Sequence, residues 1–257
     1  MALKDPKIHK IIFAGLAAVG KTSIYKSVIE NVDLESLVQM MPTRGIERKF
    51  HNVAGHKLVF WDLGGQQIYR SRYFQDHRVF ADTSILIYVL DIQDSERFDD
   101  SVEYLLQILM TIKNLQQVPR VFVLIHKYDP DKMNDLRFNL LEASNILKEA
   151  NKFPNMEITK FATSIFSDNM DSVVEEILKE IIPNYTNDLL RADGEVTESS
   201  YNVDTTQEPS KVSGMEFRLT KESEKSDFQR ELAKHFDMIK DLMGEKKEDL
   251  DDSNDSD

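Results

Sequence analysis

The stretch that most constrains the fold is "KIIFAGLAAVGKTSIYK", residues 10–26, where a short apolar run passes through Gly15-x-x-x-x-Gly20-Lys21-Thr22 into a helical pattern. A loop of this composition curls so that successive backbone N–H groups point inward, and the helix that opens near Gly20 adds its positive end. The result is a cradle for phosphate oxygens. The expected phosphate contacts are Gly15, Leu16, Ala17, Ala18, Val19, Gly20, Lys21, Thr22 and Ser23. Lys21 would reach the β and γ phosphates, and the Thr22 hydroxyl would be a ligand of Mg2+.

The remaining chain repeats the alternation that this unit starts. Apolar runs at 10–15, 56–63, 84–91, 120–126 and 156–164 are separated by stretches of helical spacing at about 21–31, 96–116, 135–150 and 169–181. That pattern is a parallel sheet covered by helices. Residues 45–53 alternate apolar and polar, and "AGHK" turns them into the next run, so the two form a hairpin with one antiparallel edge strand. The expectation is an α/β doubly wound domain of six strands, mostly parallel, with about five helices, over residues 1–184.

Beyond it the composition changes. Residues 185–257 hold 20 Asp and Glu against 10 Lys and Arg, which leaves little of the chain's net −13 for the domain. A flexible polar linker is expected at 185–213 and an amphipathic helical segment at 214–244, where Phe228, Leu232, Phe236, Ile239 and Met243 recur at helical spacing; an acidic, disordered tail follows at 245–257. Acidity of this kind repels nucleic acid and anionic lipid, so neither is an expected partner. With no cysteine, Ala2 in place of a myristoylated glycine, and apolar runs too short to span a bilayer, no intrinsic membrane anchor is expected. The expected location is cytoplasmic, with any recruitment to membranes through partners.

Two further motifs bear on chemistry. "WDLGGQ" places Asp62 at the carboxyl end of a strand, where a carboxylate can hold Mg2+ directly or through water. The backbone N–H of Gly65 would approach the terminal phosphate, and Gln66 would orient an attacking water. Thr43, in "MMPTRGIERKF", stands where a second magnesium hydroxyl would come from. It would bind only when the γ-phosphate draws its loop inward. Arg44, Arg70 and Arg72 are candidate catalytic arginines.

"GLAAVGKTS", "PTRGI", "WDLGGQ", "HKYD" and "TSI", in this order over residues 8–184, resemble a Ras-superfamily small GTPase, closest to the Rag/Gtr group with Arf-like features. The resemblance implies a P-loop NTPase small G domain that binds GTP and GDP with Mg2+. Of the base motif, Asp129 can accept from both N1–H and the 2-amine of guanine. Adenine would leave that carboxylate unpaired, and sites built on such bonds reject the wrong ligand by roughly 10⁴-fold. The stem of Lys127 would cover one face of the base. His126 replaces the usual Asn as a tie between loops and would change affinity more than base identity. The resemblance adds the backbone N–H groups of Ser164 and Ile165 near guanine O6, and Phe166 could stack on the other face of the base.

The implied activity is a molecular switch of signalling or trafficking type that hydrolyses GTP slowly without an activating partner. Its expected partners are an exchange factor, an activating protein, effectors and a roadblock-type or GTPase partner. A nucleotide-stabilised scaffold with little GTPase activity is the alternative reading, against which Gln66 argues. An ATP-dependent P-loop kinase conflicts with Asp129.

Overall fold

The computed structural model describes residues 7–187 apart from residues 39 and 154, together with Leu189, Thr197 and Glu198. The expected amphipathic segment at 214–244 and acidic tail at 245–257, with most of the expected linker, lie outside the described residues.

Strand β1 (Lys7–Ala14) leads through the phosphate loop into α1 (Lys21–Ile24), which continues as a π-helical turn over Tyr25–Ile29. After the short α2 (Leu34–Leu37) come β2 (Ile46–Val53) and β3 (His56–Leu63), paired antiparallel with Val53 opposite His56. Ala54 and Gly55 close that hairpin with positive φ of 49° and 78°, the conformation that its tight turn demands. Helix α3 (Gln67–Gln75), β4 (Thr83–Asp91), α4 (Phe98–Asn114), β5 (Arg120–His126), α5 (Arg137–Ile146), β6 (Ile158–Ala162) and α6 (Asn169–Lys179) follow. The two-residue strand β7 (Thr197–Glu198) pairs antiparallel with Lys49 and Phe50 of β2.

The sheet order is β6-β5-β4-β1-β3-β2-β7. The six expected strands are present with β2 antiparallel, and β7 extends the sheet beyond β2 from within the stretch expected to be linker. Strands β1, β3, β4, β5 and β6 are parallel. The side chains of β4 and β5 are buried on both faces, which is why these two read as unbroken apolar runs rather than as alternations. Helix α4 buries ten of its residues, among them Phe98, Leu105, Ile108 and Ile112, and α6 contributes Val174, Ile177 and Leu178.

This topology places the site. The chain leaves β1 to build β2 and β3 on one side and returns for β4 on the other, so the carboxyl end of β1 lies at a topological switch point. Ligands of open α/β sheets bind in the crevice at such a point. Gly15, Asp62, Asp91 and His126 all stand at or just after the carboxyl ends of parallel strands.

Candidate functional site

The phosphate loop has the backbone that its sequence requires. Ala18 and Gly20 take positive φ of 65° and 98°, which alternates the chain and turns N–H groups to one side. Gly20 also permits a close approach: a Cβ there would lie 2.7 Å from Cδ2 of His126. Inside the loop, Nζ of Lys21 donates to the carbonyls of Gly15 (3.1 Å) and Leu16 (2.7 Å). Burial brings the Lys21 ammonium down to about 8, against the opposing pull of Asp62. A buried cation beside the loop carbonyls is placed to meet an anion that enters the cradle.

Beside Lys21, three side chains from three elements converge. The Thr22 hydroxyl donates to Oδ2 of Asp62 at 2.5 Å, the Thr43 hydroxyl donates to the same oxygen at 2.9 Å, and the two hydroxyl oxygens are 2.8 Å apart. Oδ1 of Asp62 is buried and finds no hydrogen-bond partner among the described residues. Burial pushes the Asp62 carboxyl up, and Lys21, Thr22 and Thr43 pull it back. A buried carboxylate with one orphaned oxygen is costly. Two hydroxyls and a carboxylate are hard oxygen donors, so the set fits Mg2+.

The loop after β3 closes on this group. The Gly64 N–H donates to the Gly45 carbonyl at 2.8 Å, and the buried Tyr73 hydroxyl reaches the carbonyls of Gly45 (2.6 Å) and Gly64 (3.2 Å). Tyr73 thus joins the Thr43 segment to the Gly64-Gly65 segment. Gln66 is exposed at the N-cap of α3. A cavity of about 360 Å³ opens in front of these groups, lined by Lys21, Thr22, Thr43, Gly65, Gln66 and Lys127 among others. That volume suits a nucleotide-sized ligand.

On the other side of the phosphate loop lies the base loop. His126 is buried and hydrogen-bonded through Nδ1 to the Thr163 hydroxyl at 3.0 Å. Burial, with Lys127 adding to it, lowers its pKa to about 4, so it is neutral at pH 7. Lys127 takes a left-handed φ of 61°. Its Nζ donates to the Ala18 carbonyl (2.8 Å) and to Oδ2 of Asp91 (2.6 Å), so its stem runs from the base loop to the phosphate loop. Asp129 is buried, and its carboxylate accepts from the Ser164 hydroxyl on Oδ1 (2.5 Å) and from the Gln93 amide on Oδ2 (2.6 Å).

The Gtr1/RagA G protein conserved region matches residues 10–193. The chain belongs to the Gtr1/RagA G protein family. It is 31% identical over 180 residues to the GTP-binding protein gtr1 of Schizosaccharomyces pombe, covering 68% of this chain and 57% of that relative. The GTP-binding protein GTR1 of Saccharomyces cerevisiae is 26% identical over 69% of this chain and 58% of its own length. The Ras-related GTP-binding protein A of Dictyostelium discoideum is 28% identical over 68% of this chain and 58% of its own length. The chain spans less than two thirds of the length of the curated relatives it matches.

In this Gtr1/RagA-family protein, the expected phosphate, magnesium and base residues stand on one rim of the sheet. Thr22, Thr43 and Asp62 meet directly, and Lys21, Gly65 and Gln66 line the same cavity. Ser164 meets Asp129 through its side chain, whereas the sequence pointed to its backbone N–H together with that of Ile165. Phe166 is exposed, with its N–H donating to the Ser164 hydroxyl at 3.1 Å. Among the arginine candidates, Arg44 and Arg72 are exposed, and the Arg70 guanidinium lies over the Tyr104 ring, 4.9 Å from its centroid. An arginine that the sequence did not single out, Arg97, pairs with Asp94 and reaches the Ala17 carbonyl at 3.5 Å. Asp91, Gln93, Tyr73 and Thr163 were also missed as site residues. A polar residue at the carboxyl end of each parallel strand is the signal that would have found Asp91. Among the described residues, no helix is long and apolar enough to cross a membrane.

Proposed function

We propose that this chain is a GTP-binding switch that hydrolyses GTP to GDP with Mg2+, slowly when alone. The observation that carries the reading is the convergence on Asp62, whose second oxygen is buried without a partner among the described residues, of the Thr22 and Thr43 hydroxyls, whose residues line one cavity with Lys21 and Gln66. Thr22, Thr43 and Asp62 would hold Mg2+. When bound, the ion would neutralise charge on the β- and γ-phosphate oxygens.

Lys21 supplies the fixed cation for those oxygens, and the loop N–H groups supply the dipoles. Gln66 orients a water for in-line attack on the γ-phosphorus; the bond from that phosphorus to the β-phosphate oxygen breaks, leaving GDP and phosphate. Thr43 couples the nucleotide to its loop: with the γ-phosphate present the segment is held in, and through Tyr73 so is the segment at Gly64. Asp129 reads guanine, while His126 stays neutral and ties the base loop to Thr163. The relatives that carry GTP-binding names support the same reading.

Arg44 and Arg72 are exposed, Arg70 is engaged with Tyr104 and Arg97 with Asp94, and none of the four lines the cavity. A partner that inserts an arginine is therefore the expected accelerator, by about 10³ to 10⁵-fold. An exchange factor and effectors that recognise the switch segments complete the cycle, with a roadblock-type or GTPase partner in the assembly and a cytoplasmic location. The test has two parts. Purified protein is denatured and the released nucleotide identified, with GDP or GTP expected. Single-turnover hydrolysis is then compared for the parent and Gln66→Leu. An adenine nucleotide would overturn the guanine reading, an undiminished rate in Gln66→Leu would remove the catalytic role of Gln66, and negligible hydrolysis by the parent would favour the scaffold.

A further inference from the structure

We propose that Gln93 is a positioning residue for guanine recognition: its side-chain amide holds the Asp129 carboxylate and the Lys127 backbone in the arrangement that reads the base. The inference rests on the guanine-binding reading above and adds a residue to it.

Gln93 follows β4 by two positions, and its own N–H donates to Oδ1 of Asp91 at 3.0 Å. Its side chain is committed to the base loop. Nε2 donates to Oδ2 of Asp129 at 2.6 Å and to the Lys127 carbonyl at 2.8 Å, and Oε1 accepts from Nζ of Lys132 at 3.0 Å. Lys127 needs such support, because a residue with a Cβ does not settle at φ 61° without outside contacts. Gln93 holds its carbonyl, while Asp91 and Ala18 hold its ammonium.

The lone-pair count decides whether the amide helps or obstructs. A carboxylate offers about four acceptor positions, two on each oxygen. The Ser164 hydroxyl occupies one on Oδ1 and the Gln93 amide one on Oδ2. One position remains on each oxygen, which matches the adjacent N1–H and 2-amine donors of guanine. The amide therefore fixes the carboxylate without exhausting it. His126 ties the base loop toward Thr163, at the carboxyl end of β6. The tie toward the loop after β4 is shared by Gln93, by the Lys127–Asp91 pair and by the Ile92 N–H, which donates to the His126 carbonyl at 2.9 Å.

The full chain, freed of nucleotide, is titrated with GDP, inosine diphosphate (which lacks the 2-amine) and ADP, in competition with a fluorescent GDP. In Gln93→Ala, GDP affinity should fall about 10- to 100-fold, the scale of a lost hydrogen bond to a charged group. The preference for GDP over inosine diphosphate should collapse, because the carboxylate that takes the 2-amine is no longer held at Oδ2. Gln93→Glu, which removes the donor and adds a negative charge beside the Asp129 carboxylate, should lose at least as much, and Lys132→Ala, which touches only Oε1, should lose less. A Gln93→Ala protein with the parent's GDP preference overturns the proposal. So does one that binds GDP more tightly, which would make the amide a competitor of the base. A GDP loss that follows a lowered melting temperature with the preference intact also overturns it, since Gln93 would then be merely structural. If the parent itself does not prefer GDP to ADP, the guanine reading fails first, and the role of Gln93 with it.

Discussion

Replacing Gly65 with alanine puts a methyl group where the phosphate loop already stands. A Cβ at Gly65 would lie 2.2 Å from the carbonyl carbon of Leu16, 2.3 Å from its oxygen and 2.4 Å from the Ala17 nitrogen. These are backbone atoms of the phosphate loop, not the ends of side chains that could swing away. Ordinary contact begins near 3.4 Å, so the segment carrying Gly65 and Gln66 must retreat by about 1 Å in a close-packed site. A displacement of that size at a catalytic group costs on the order of 10²-fold in rate. Lys21, His126 and Asp129 sit on other segments, so GDP affinity should stay within about threefold, a change of less than 1 kcal/mol. Single-turnover release of phosphate from GTP, run beside a GDP titration, separates the two effects. Parent-like hydrolysis by Gly65→Ala would refute the close approach of Gly65 as part of the catalytic geometry. Loss of GDP binding would refute the independence of the two segments.

Asp129→Asn should exchange preference from GTP to xanthosine triphosphate, whose O2 accepts where guanine donates; competition binding with the two triphosphates checks it. His126 is neutral in the fold because its pKa lies near 4, while an unfolded imidazole titrates near 6.5. The unfolded chain therefore binds the extra proton between these values, and stability falls as pH falls through that window by up to about 1.4 kcal/mol per pH unit. His126→Asn should reduce that slope by one proton, measured as urea unfolding at pH 7, 6 and 5; an unchanged slope would mean that His126 does not titrate differently in the two states. Tyr73→Phe removes the hydroxyl shared by Gly45 and Gly64, and should lower stability by about 1 kcal/mol. The Gly64 N–H still occupies the Gly45 carbonyl, so GDP affinity should hold; urea melts and a GDP titration read the two.

The sheet was legible because its signal is chemical and local. β3 and β5 occupy the expected 56–63 and 120–126, since strands at the centre of a covered sheet bury apolar stretches such as Leu58–Phe60 and Val121–Ile125. Helix α3 escaped periodicity because "QIYRSRYFQ" buries only Tyr73 and carries no apolar stripe. The π-helical turn at Tyr25–Ile29 was equally invisible within the expected 21–31 helix, because the residues it buries, Tyr25, Val28 and Ile29, stand three and four apart, as on an α-helix. Among the residues that the fold gathers at the candidate site, those that the sequence pointed to lie mostly in contiguous motifs: Gly15 to Ser23, Asp62 to Gln66, and His126 to Asp129. Gln93 and Thr163 act across 36 and 37 residues of sequence, on Asp129 and His126 respectively. A polar residue beside a strand carries no mark of a partner so far away. Tyr73 carries no mark of its role in the sequence; the two carbonyls that it joins belong to segments that meet only in the fold.

The most direct test of guanine recognition is titration of the nucleotide-free chain with fluorescent GDP and fluorescent ADP in the presence of Mg2+. A buried Asp129 carboxylate that two donors already hold in place should favour GDP by roughly 10⁴-fold or more. Equal affinities for the two nucleotides would contradict the account.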